Sequence, residues 1–383
     1  MGAWWRGFFG LGHRLVTHPR TVLMLVLMLT LSWLAVQIYA GLVVTSVPTA
    51  IYDFDQSKVS RALWTSISGP REIELVETPA TLDEAWERLG DGRLGALVVI
   101  PHGLSDALKK GHEAAVTVAV DGGNILVGKN VFKALAKAVG QVSAGVQVTS
   151  LRKMGARKER SVSLAVPIAT DERPIRNPGT NYGVYVAPGL VFFMLHIFVL
   201  LLGLTIFLPD HRPASALEAF GALSAAFLVC TGIGMAFAYV WLRPLSIIPA
   251  SGPVWTLVWV ACLVALDLLM ACSFVAIAAT PLAGVQVTVL LGMMSMMLSG
   301  ITWPTDCFPP LLQEIASWIP FTPFAKGLQT LLHIPAGFDE LSQHLRSFAR
   351  QAALYGLIGL VGLAGRRVVA RIRTARTAEG RAP

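Results

Sequence analysis

Long runs without a charged residue constrain this chain more than any other feature of its sequence. No residue from Thr21 to Val44 is charged, and a helix of that length can cross a bilayer core about 30 Å thick. A helix also satisfies its own backbone hydrogen bonds, for which lipid offers no partners. The sequence therefore predicts an α-helical polytopic membrane protein with about six spans. The expected spans are 21–44, 185–208, 219–242, 254–278, 284–303 and 348–369.

The first apolar run could also belong to a secretory signal peptide. It is longer than the usual apolar region of about 7 to 15 residues, and Ile38-Tyr39-Ala40 is a poor cleavage site. We therefore expect an uncleaved anchor.

Charge is distributed unevenly along the chain. Only 14% of the 383 residues are charged, against roughly a quarter in soluble proteins, yet residues 45–183 hold 17 of the 31 Lys and Arg and 15 of the 23 Asp and Glu. This segment is predicted to be a water-facing domain inserted after the first span. It contributes only +2 of the net charge of +8. Most of the surplus flanks apolar runs at the two termini, which favours membrane flanks over nucleic-acid binding.

The basic flanks also predict the orientation. Arg6, Arg14 and Arg20 precede the first span, and six arginines follow from Arg366 onward. Because cytoplasmic flanks are enriched in Arg and Lys, both termini are expected in the cytoplasm and domain 45–183 outside it. Residues 1–20 are predicted to form an amphipathic interfacial helix, residues 184–369 a bundle of five further spans, and residues 370–383 a basic cytoplasmic tail.

Strand-like and helix-like segments alternate in domain 45–183, which predicts a small α/β domain with a partly parallel sheet. A longer helical run, Leu126 to Met154, should follow the sheet. Val162 to Ile168 is a last strand candidate because its apolar residues alternate. The other predicted strands are 49–54, 72–76, 95–100 and 115–120, and the predicted short helices are 57–66, 81–89 and 104–109.

The order of these parts resembles that of the type-2 ABC exporter permeases, in the branch with a large periplasmic insertion between the first two spans. Four stretches carry the resemblance: PTAIYDFDQSKVSRAL from Pro48, LGALVVIPHGLSDALKKG before VAVDGGN, YGVYVAPGL from Tyr182, and the proline-rich segment Leu298 to Leu331. Together they touch most of the chain.

The resemblance implies a permease in the bacterial cytoplasmic (inner) membrane that exports a hydrophobic or amphipathic substrate. It implies a dimer of identical or different permeases, a separate cytoplasmic ATPase and a possible periplasmic adaptor. The chain itself has no phosphate-binding loop of the form GxxxxGK[ST], so no ATPase activity of its own is expected. No cofactor and no nucleic-acid partner is expected either.

The chain departs from this family at the loop after the second span. The family usually carries a charged coupling helix there, whereas this loop is only Pro209 to Glu218. Its charged residues and the amphipathic start are the expected contacts to the ATPase. The short loop leaves a second hypothesis open, a membrane-anchored receptor or scaffold that does not transport. The expected contact residues are Asp210, His211, Arg212 and Glu218.

Two ionisable residues lie within predicted spans. Asp267 is near the middle of the fourth span and His196 is in the second. A buried charge in a membrane is costly, so such residues mark a translocation pathway or lock helix packing. Neither residue has a Ser, Glu or second His at catalytic helical spacing, which gives an intramembrane hydrolase little support. Met294 and Met297 offer an adaptable surface that could line the pathway or pack against a neighbour.

Prolines interrupt the segment 303–331 and exclude a single continuous helix there. We expect either a re-entrant helix pair on the external side that gates the pathway, or an interfacial cap with no gating role. The expected gate residues are Trp303, Pro304, Pro309, Pro310, Pro320 and Phe324.

Neither a metal site nor a disulfide framework is predicted. The four cysteines, at 230, 262, 272 and 307, lie apart in apolar or near-membrane sequence. Asp53, Asp55, Ser57 and Ser60 lie between a strand and a helix, where short polar side chains cap backbone N–H groups more often than they bind metal.

Overall fold

The computed structural model divides the chain into two compact units. One comprises Met1–Leu42 and Pro174–Pro383, and the other comprises Val43–Arg173. We call them the helical unit and the α/β unit. The structure describes residues 2–40, 44–110, 112–166, 181–208, 212–278 and 280–379, with the backbone alone at 281, 282 and 369–379.

Short runs of aliphatic residues form the four-stranded sheet of the α/β unit. Strand β1 (Val47–Asp53) lies between β2 (Ile73–Leu75) and β3 (Ala96–Ile100) and is parallel to both. Strand β4 (Thr117–Val120) pairs antiparallel with β3, so the strand order is β2-β1-β3-β4. The partly parallel sheet predicted from the alternating segments is confirmed.

Helices cover both faces of this sheet because neighbouring side chains on a strand point to opposite sides. These helices are α3 (Lys58–Ile67), α4 (Leu82–Gly90), α5 (Leu104–Lys109) and α6 (Ile125–Lys153). Val98 belongs to a core formed with α3 and α6, whereas Leu97 belongs to a smaller core that includes Ala85 of α4.

The strand predicted at Val162 to Ile168 is wrong over its described part. Residues Lys158–Ala165 form a helix, α7, that packs against α6, and residues 167 and 168 lie outside the described residues. The apolar alternation that suggested a strand does not mark a buried face, since Val162 and Leu164 are both exposed. The backbone here is satisfied by local helical hydrogen bonds instead.

The helical unit consists mainly of apolar helices near the predicted spans. The last of the long helices begins about ten residues before its predicted span. The unit begins with the amphipathic helix α1 (Ala3–Thr17). The apolar helices that follow are α2 (Pro19–Ala40), α8 (Tyr182–Thr205), α9 (Ala216–Ala236), α10 (Gly252–Ile277), α11 (Pro281–Leu298) and α14 (Phe338–Glu379).

Five of the described helices are long and apolar enough to cross a membrane: α2, α8, α10, α14 and α9 with its π-helical and 3-10 extension to Leu245. The predicted span 284–303 corresponds to α11, which is shorter. Its helix ends at Leu298 because the chain turns at Gly300, where φ is +91°. The fold is therefore that of a polytopic helical membrane protein with an inserted α/β part, as predicted. Its described residues include five candidate spans and the shorter apolar helix α11.

The prolines of segment 303–331 break it as predicted. A 3-10 turn at Thr305–Cys307 is followed by the short helix α12 (Pro310–Ser317) and then by α13 (Phe321–His333). Arg350 ties α14 to this segment. Arg350 donates to the carbonyl and hydroxyl oxygens of Ser317, at 3.2 and 2.9 Å, and lies over the Trp318 ring.

Candidate functional site

Three polar side chains from three helices meet in the interior of the helical unit. His196 Nδ1 (α8) lies 2.9 Å from Asp267 Oδ1 (α10), and His196 Nε2 lies 3.1 Å from Ser295 Oγ (α11). All three residues have no exposed surface. We call this group the polar cluster. It joins Asp267 and His196, the two ionisable residues that the sequence singled out, and adds Ser295.

Hydrogen bonding inside the cluster is incomplete among the described residues. Ser295 Oγ also donates to the carbonyl of Leu291 at 2.9 Å, so its hydrogen points along its own helix. Asp267 Oδ2 is buried and has no partner in the described part of the chain. An unpaired buried carboxylate oxygen costs free energy. Protonation of Asp267, or a rearrangement of the helices around it, therefore changes the free energy of the folded bundle.

The order of the three residues is that of a serine-hydrolase triad, in which Asp orients His and His accepts the Ser proton. The polar cluster has no exposed surface through which a substrate carbonyl could reach Ser295 Oγ. The arrangement can transfer or share a proton between helices and can hold α8, α10 and α11 together.

Helix α13 of the proline-rich segment reaches the polar cluster. The ring of Phe321 stacks on the His196 imidazole, with centroids 5.2 Å apart. Phe324 packs on Phe192 and Trp259, and the Trp259 Nε1 group donates to the Phe324 carbonyl at 3.1 Å. The predicted pathway residue His196 is therefore in contact with helix α13 of the predicted gate segment.

The six predicted gate residues divide into two groups. Pro320 and Phe324 are buried at the start of α13. The other four, Trp303, Pro304, Pro309 and Pro310, are exposed at the beginning of the segment, and Trp303 is 62% exposed.

The two predicted pathway methionines lie away from the polar cluster. Met294 and Met297 are 42% and 70% exposed, although they neighbour Ser295 in sequence. Residues one and two positions apart on a helix point in different directions. In the single chain these methionines therefore lie on the outer face of α11.

The amphipathic helix α1 packs closely along the start of α9. A Cβ atom at Gly7 would clash with the Glu218 carbonyl, and one at Gly221 would clash with the Trp4 carbonyl. These glycines allow the two backbones to touch. Helix α1 and the start of α9, which belong to the two stretches predicted to bind the ATPase, thus form one continuous surface, which we call the α1–α9 surface.

The predicted ATPase-contact residues have different surroundings. Arg212 is exposed, whereas the side chain of Glu218 accepts from the Ala214 N–H at 3.1 Å and Ser215 Oγ accepts from the Glu218 N–H at 3.2 Å. This reciprocal pair caps the start of α9, so Glu218 has a structural role. Asp210 and His211 lie outside the described residues.

Sequence reasoning missed Ser295 and Phe321. A hydroxyl inside the methionine-rich run of α11 was a signal for Ser295, since isolated polar groups in apolar helices need partners. No local signal distinguished Phe321 from other aromatic residues. Among the described residues, no group of three or more His, Cys, Asp or Glu could hold a metal ion.

The fold and the buried site are those of a multi-pass membrane protein. The sequence model of the ABC-2 family transporter proteins matches residues 19–361, which is most of the chain. The chain belongs to this family and is a membrane transport subunit. A search of curated proteins and a search of solved structures gave no significant match.

Proposed function

We propose that the chain is the permease subunit of an ATP-driven exporter in the cytoplasmic (inner) membrane of a bacterium. It moves a hydrophobic or amphipathic substrate out of the cytoplasm or the inner leaflet, and a separate chain hydrolyses ATP. Permeases of the ABC-2 family generally work with an ATPase subunit, which supports this division of labour.

The observation that carries the proposal is the α1–α9 surface. Two segments far apart in sequence, one amphipathic and one at a loop-to-helix junction, are held backbone to backbone by Gly7 and Gly221. Trp5 and Phe9 of α1 remain about half exposed. A rigid surface with exposed aromatic residues suits a protein partner better than open solvent, since aromatic residues are enriched at interfaces.

The proposed topology places both termini and the α1–α9 surface in the cytoplasm. The basic residues that flank α2 and α14 support this side. With α11 as a short sixth span, the chain crosses an even number of times. The α/β unit and segment 303–331 then lie outside the cytoplasm, where the α/β unit could contact a periplasmic adaptor.

In this mechanism ATP-driven closure of the partner rocks the helices and separates α8, α10 and α11 at the polar cluster. Phe321 and Phe324 of α13 withdraw from His196 and Trp259, so the segment 303–331 acts as an external gate. Met294 and Met297 are exposed in the single chain. They line the pathway only if a second permease, identical or different, faces α11.

Transport with and without the ATPase tests the proposal. The permease should drive ATP-dependent movement of a lipophilic dye in membrane vesicles only when its ATPase is present. Transport that persists in cells lacking the ATPase would contradict the proposal. A permease that never co-purifies with an ATPase would instead support the receptor or scaffold hypothesis.

Substitution of Gly7 tests the α1–α9 surface directly. Gly7→Ala should separate α1 from α9 and lower the amount of ATPase that co-purifies, by about tenfold if 1–2 kcal/mol of binding is lost. Gly10→Ala is the matched control, because a Cβ there meets nothing within 4 Å. Equal recovery of the ATPase with both variants would exclude this surface as the contact.

A further inference from the structure

A cavity of about 1760 Å³ lies at the end of the helical unit where α8 and α10 end and α9 begins. Its other wall is the middle of α14, from Gly356 to Arg366. Small-molecule sites usually measure about 300–1,000 Å³. This cavity therefore has room for a ligand with a long hydrocarbon body.

Glycines of α14 create much of this space. Gly356, Gly359, Gly362 and Gly365 recur at every third residue and all line the cavity. Gly359 and Gly362 approach Ser273 and Ala276 of α10, where a Cβ would be 3.1 and 2.7 Å from the nearest atoms, whereas at Gly356 and Gly365 a Cβ would meet nothing. Helix α14 therefore touches α10 at Gly359 and Gly362. The space next to Gly356 and Gly365, on either side of that contact, is open.

The remaining walls are mainly apolar. The cavity is lined by Leu204 of α8, Phe207 just after α8, Leu269 of α10, and Leu360 and Leu363 of α14. The hydroxyl of Ser273 is already used, since it donates to the Tyr355 carbonyl at 2.6 Å. Such walls favour a hydrocarbon chain and offer few polar contacts along its length.

Among the described residues that line the cavity, the charged ones are two arginines, Arg212 and Arg366. Arg366 Nη2 donates to the carbonyls of Val275 and Ala278, the latter at 2.9 Å, so the guanidinium is fixed at the end of α10. Arginine presents several N–H donors and binds phosphate or carboxylate in a bidentate manner. The described lining includes no carboxylate that would attract a cation.

We propose that this cavity binds an anionic amphiphile. Its apolar chain lies along α10 and α14, and its phosphate or carboxylate group lies between Arg212 and Arg366. The assignment of this cavity as the site of the exported molecule rests on the proposed function. Binding of the amphiphile itself does not require transport.

A pair of probes that differ in charge tests the proposal. The full-length permease in phosphatidylcholine nanodiscs is titrated with a fluorescent long-chain alkyl phosphate and with the matching uncharged alcohol. The phosphate should bind about tenfold more tightly, because hydrogen bonds to charged groups contribute more than neutral ones. Equal binding of phosphate and alcohol would overturn the proposal.

Neighbouring arginines provide a matched pair of variants. Arg366→Gln should weaken binding of the alkyl phosphate about tenfold and leave the alcohol unchanged. Arg367→Gln removes the same charge from the next residue of α14, which does not line the cavity, and should have little effect. Arg366→Lys keeps the charge and should restore part of the affinity even if loss of the cap on α10 lowers stability. If Arg366→Gln and Arg367→Gln weakened binding of the alkyl phosphate equally, Arg366 would not be a ligand of the head group.

Filling the cavity tests the hydrocarbon part. Gly356→Phe projects into open space and should reduce binding of both probes, whereas Leu357→Phe, at a residue that is 60% exposed and does not line the cavity, should not. Unchanged binding in Gly356→Phe would exclude the cavity as the site.

Two further arms identify the source of the ligand. Displacement of the probe by phosphatidylglycerol indicates a membrane lipid, and displacement only when the ATPase and ATP are added indicates exported cargo. Both outcomes support the anionic site. If the phosphate binds but ATP-dependent transport is absent, the proposed function fails and the site remains. If transport occurs while both probes bind alike, the site fails and the proposed function remains.

Discussion

The helical unit buries a polar cluster inside its bundle, whereas the α/β unit offers polar side chains that cap its helices. In the α/β unit, Ser57 and Thr81 accept from N–H groups at the starts of α3 and α4. In the helical unit, His196, Asp267 and Ser295 are fully buried in the middle of helices and bond across them. A polar group at a helix end stabilises one helix, whereas a polar group inside the bundle couples several.

The difference follows from the solvent available to each unit. Water can hydrate the helix ends of the α/β unit, so a lost cap is partly replaced. A polar group within an apolar bundle has only other protein groups as partners. Substitutions of polar residues should therefore have large, long-range effects in the helical unit and small, local effects in the α/β unit.

The largest expected effect is that of Asp267→Leu. Loss of the carboxylate leaves Nδ1 of His196 buried without its partner, and an unsatisfied buried polar group costs about 1–3 kcal/mol. ATP-dependent transport should be abolished and the unfolding temperature in detergent should fall. Vesicle transport assays and thermal unfolding of the purified chain measure the two effects.

Two controls separate function from packing at the polar cluster. Asp267→Asn keeps an amide group that can hydrogen-bond to His196 Nδ1 whether or not that nitrogen carries a proton, and it should unfold near the wild-type temperature. The apolar triple variant His196→Phe, Asp267→Leu, Ser295→Ala leaves no unpaired polar group and should fold but not transport. Wild-type transport by the triple variant would show that the cluster only packs the helices.

Glycine substitutions compare the tightness of the two interiors. A Cβ at Gly327 would clash with the Trp259 ring, which is fixed by its hydrogen bond to Phe324, so Gly327→Ala should cost about 1–3 kcal/mol. In the α/β unit, a Cβ at Gly95 would clash with a single methyl group of Val47, which is smaller than an indole ring. Gly95→Ala should cost less, as thermal unfolding would show.

A compensating change verifies the cause at Gly327. Trp259→Phe removes part of the ring, so the double variant with Gly327→Ala should be more stable than the sum of the single variants implies. Additive losses would mean that the clash with Trp259 is not the reason for the effect.

The smallest expected effect is that of Thr81→Ala in the α/β unit. Thr81 Oγ1 accepts from the Glu84 N–H at 3.2 Å, and Glu84 accepts from the Ala80 N–H at 3.1 Å. Loss of this cap should cost about 1 kcal/mol. Hydrogen exchange should rise at the start of α4 and remain unchanged in α10; faster exchange in both helices would contradict the separation of the two regions.

The same capping pair gives a pH dependence with a defined sign. A hydrogen bond from Arg88 lowers the pKa of the Glu84 carboxyl. The stabilisation is therefore complete above the ordinary pKa of a glutamate and is lost as the pH falls through the lowered folded pKa. Exchange at the start of α4, corrected for the intrinsic rate, should rise in this acid range. Glu84→Gln should remove the dependence, and persistence in that variant would assign it to another group.

Local patterns predicted most of the secondary structure. The predicted strand 49–54 appears as Val47–Asp53 and the predicted helix 57–66 as Lys58–Ile67, because apolar periodicity and capping residues act within a few positions. The same reasoning failed at Val162 to Ala165, where exposed apolar residues alternate without forming a strand. It also overestimated the span 284–303, whose helix ends at Leu298 before the turn at Gly300.

The sequence by itself determined that this chain is a polytopic helical membrane protein with an inserted α/β part, since apolar run length and charge distribution are local properties that lipid and water select directly. Only the tertiary structure decided that Ser295 meets His196, 99 positions away, that Phe321 stacks on the same imidazole, and that Arg366 and Arg212 share one cavity. These contacts depend on how helices pack and cross, and apolar helices of similar composition carry no local signal for their neighbours.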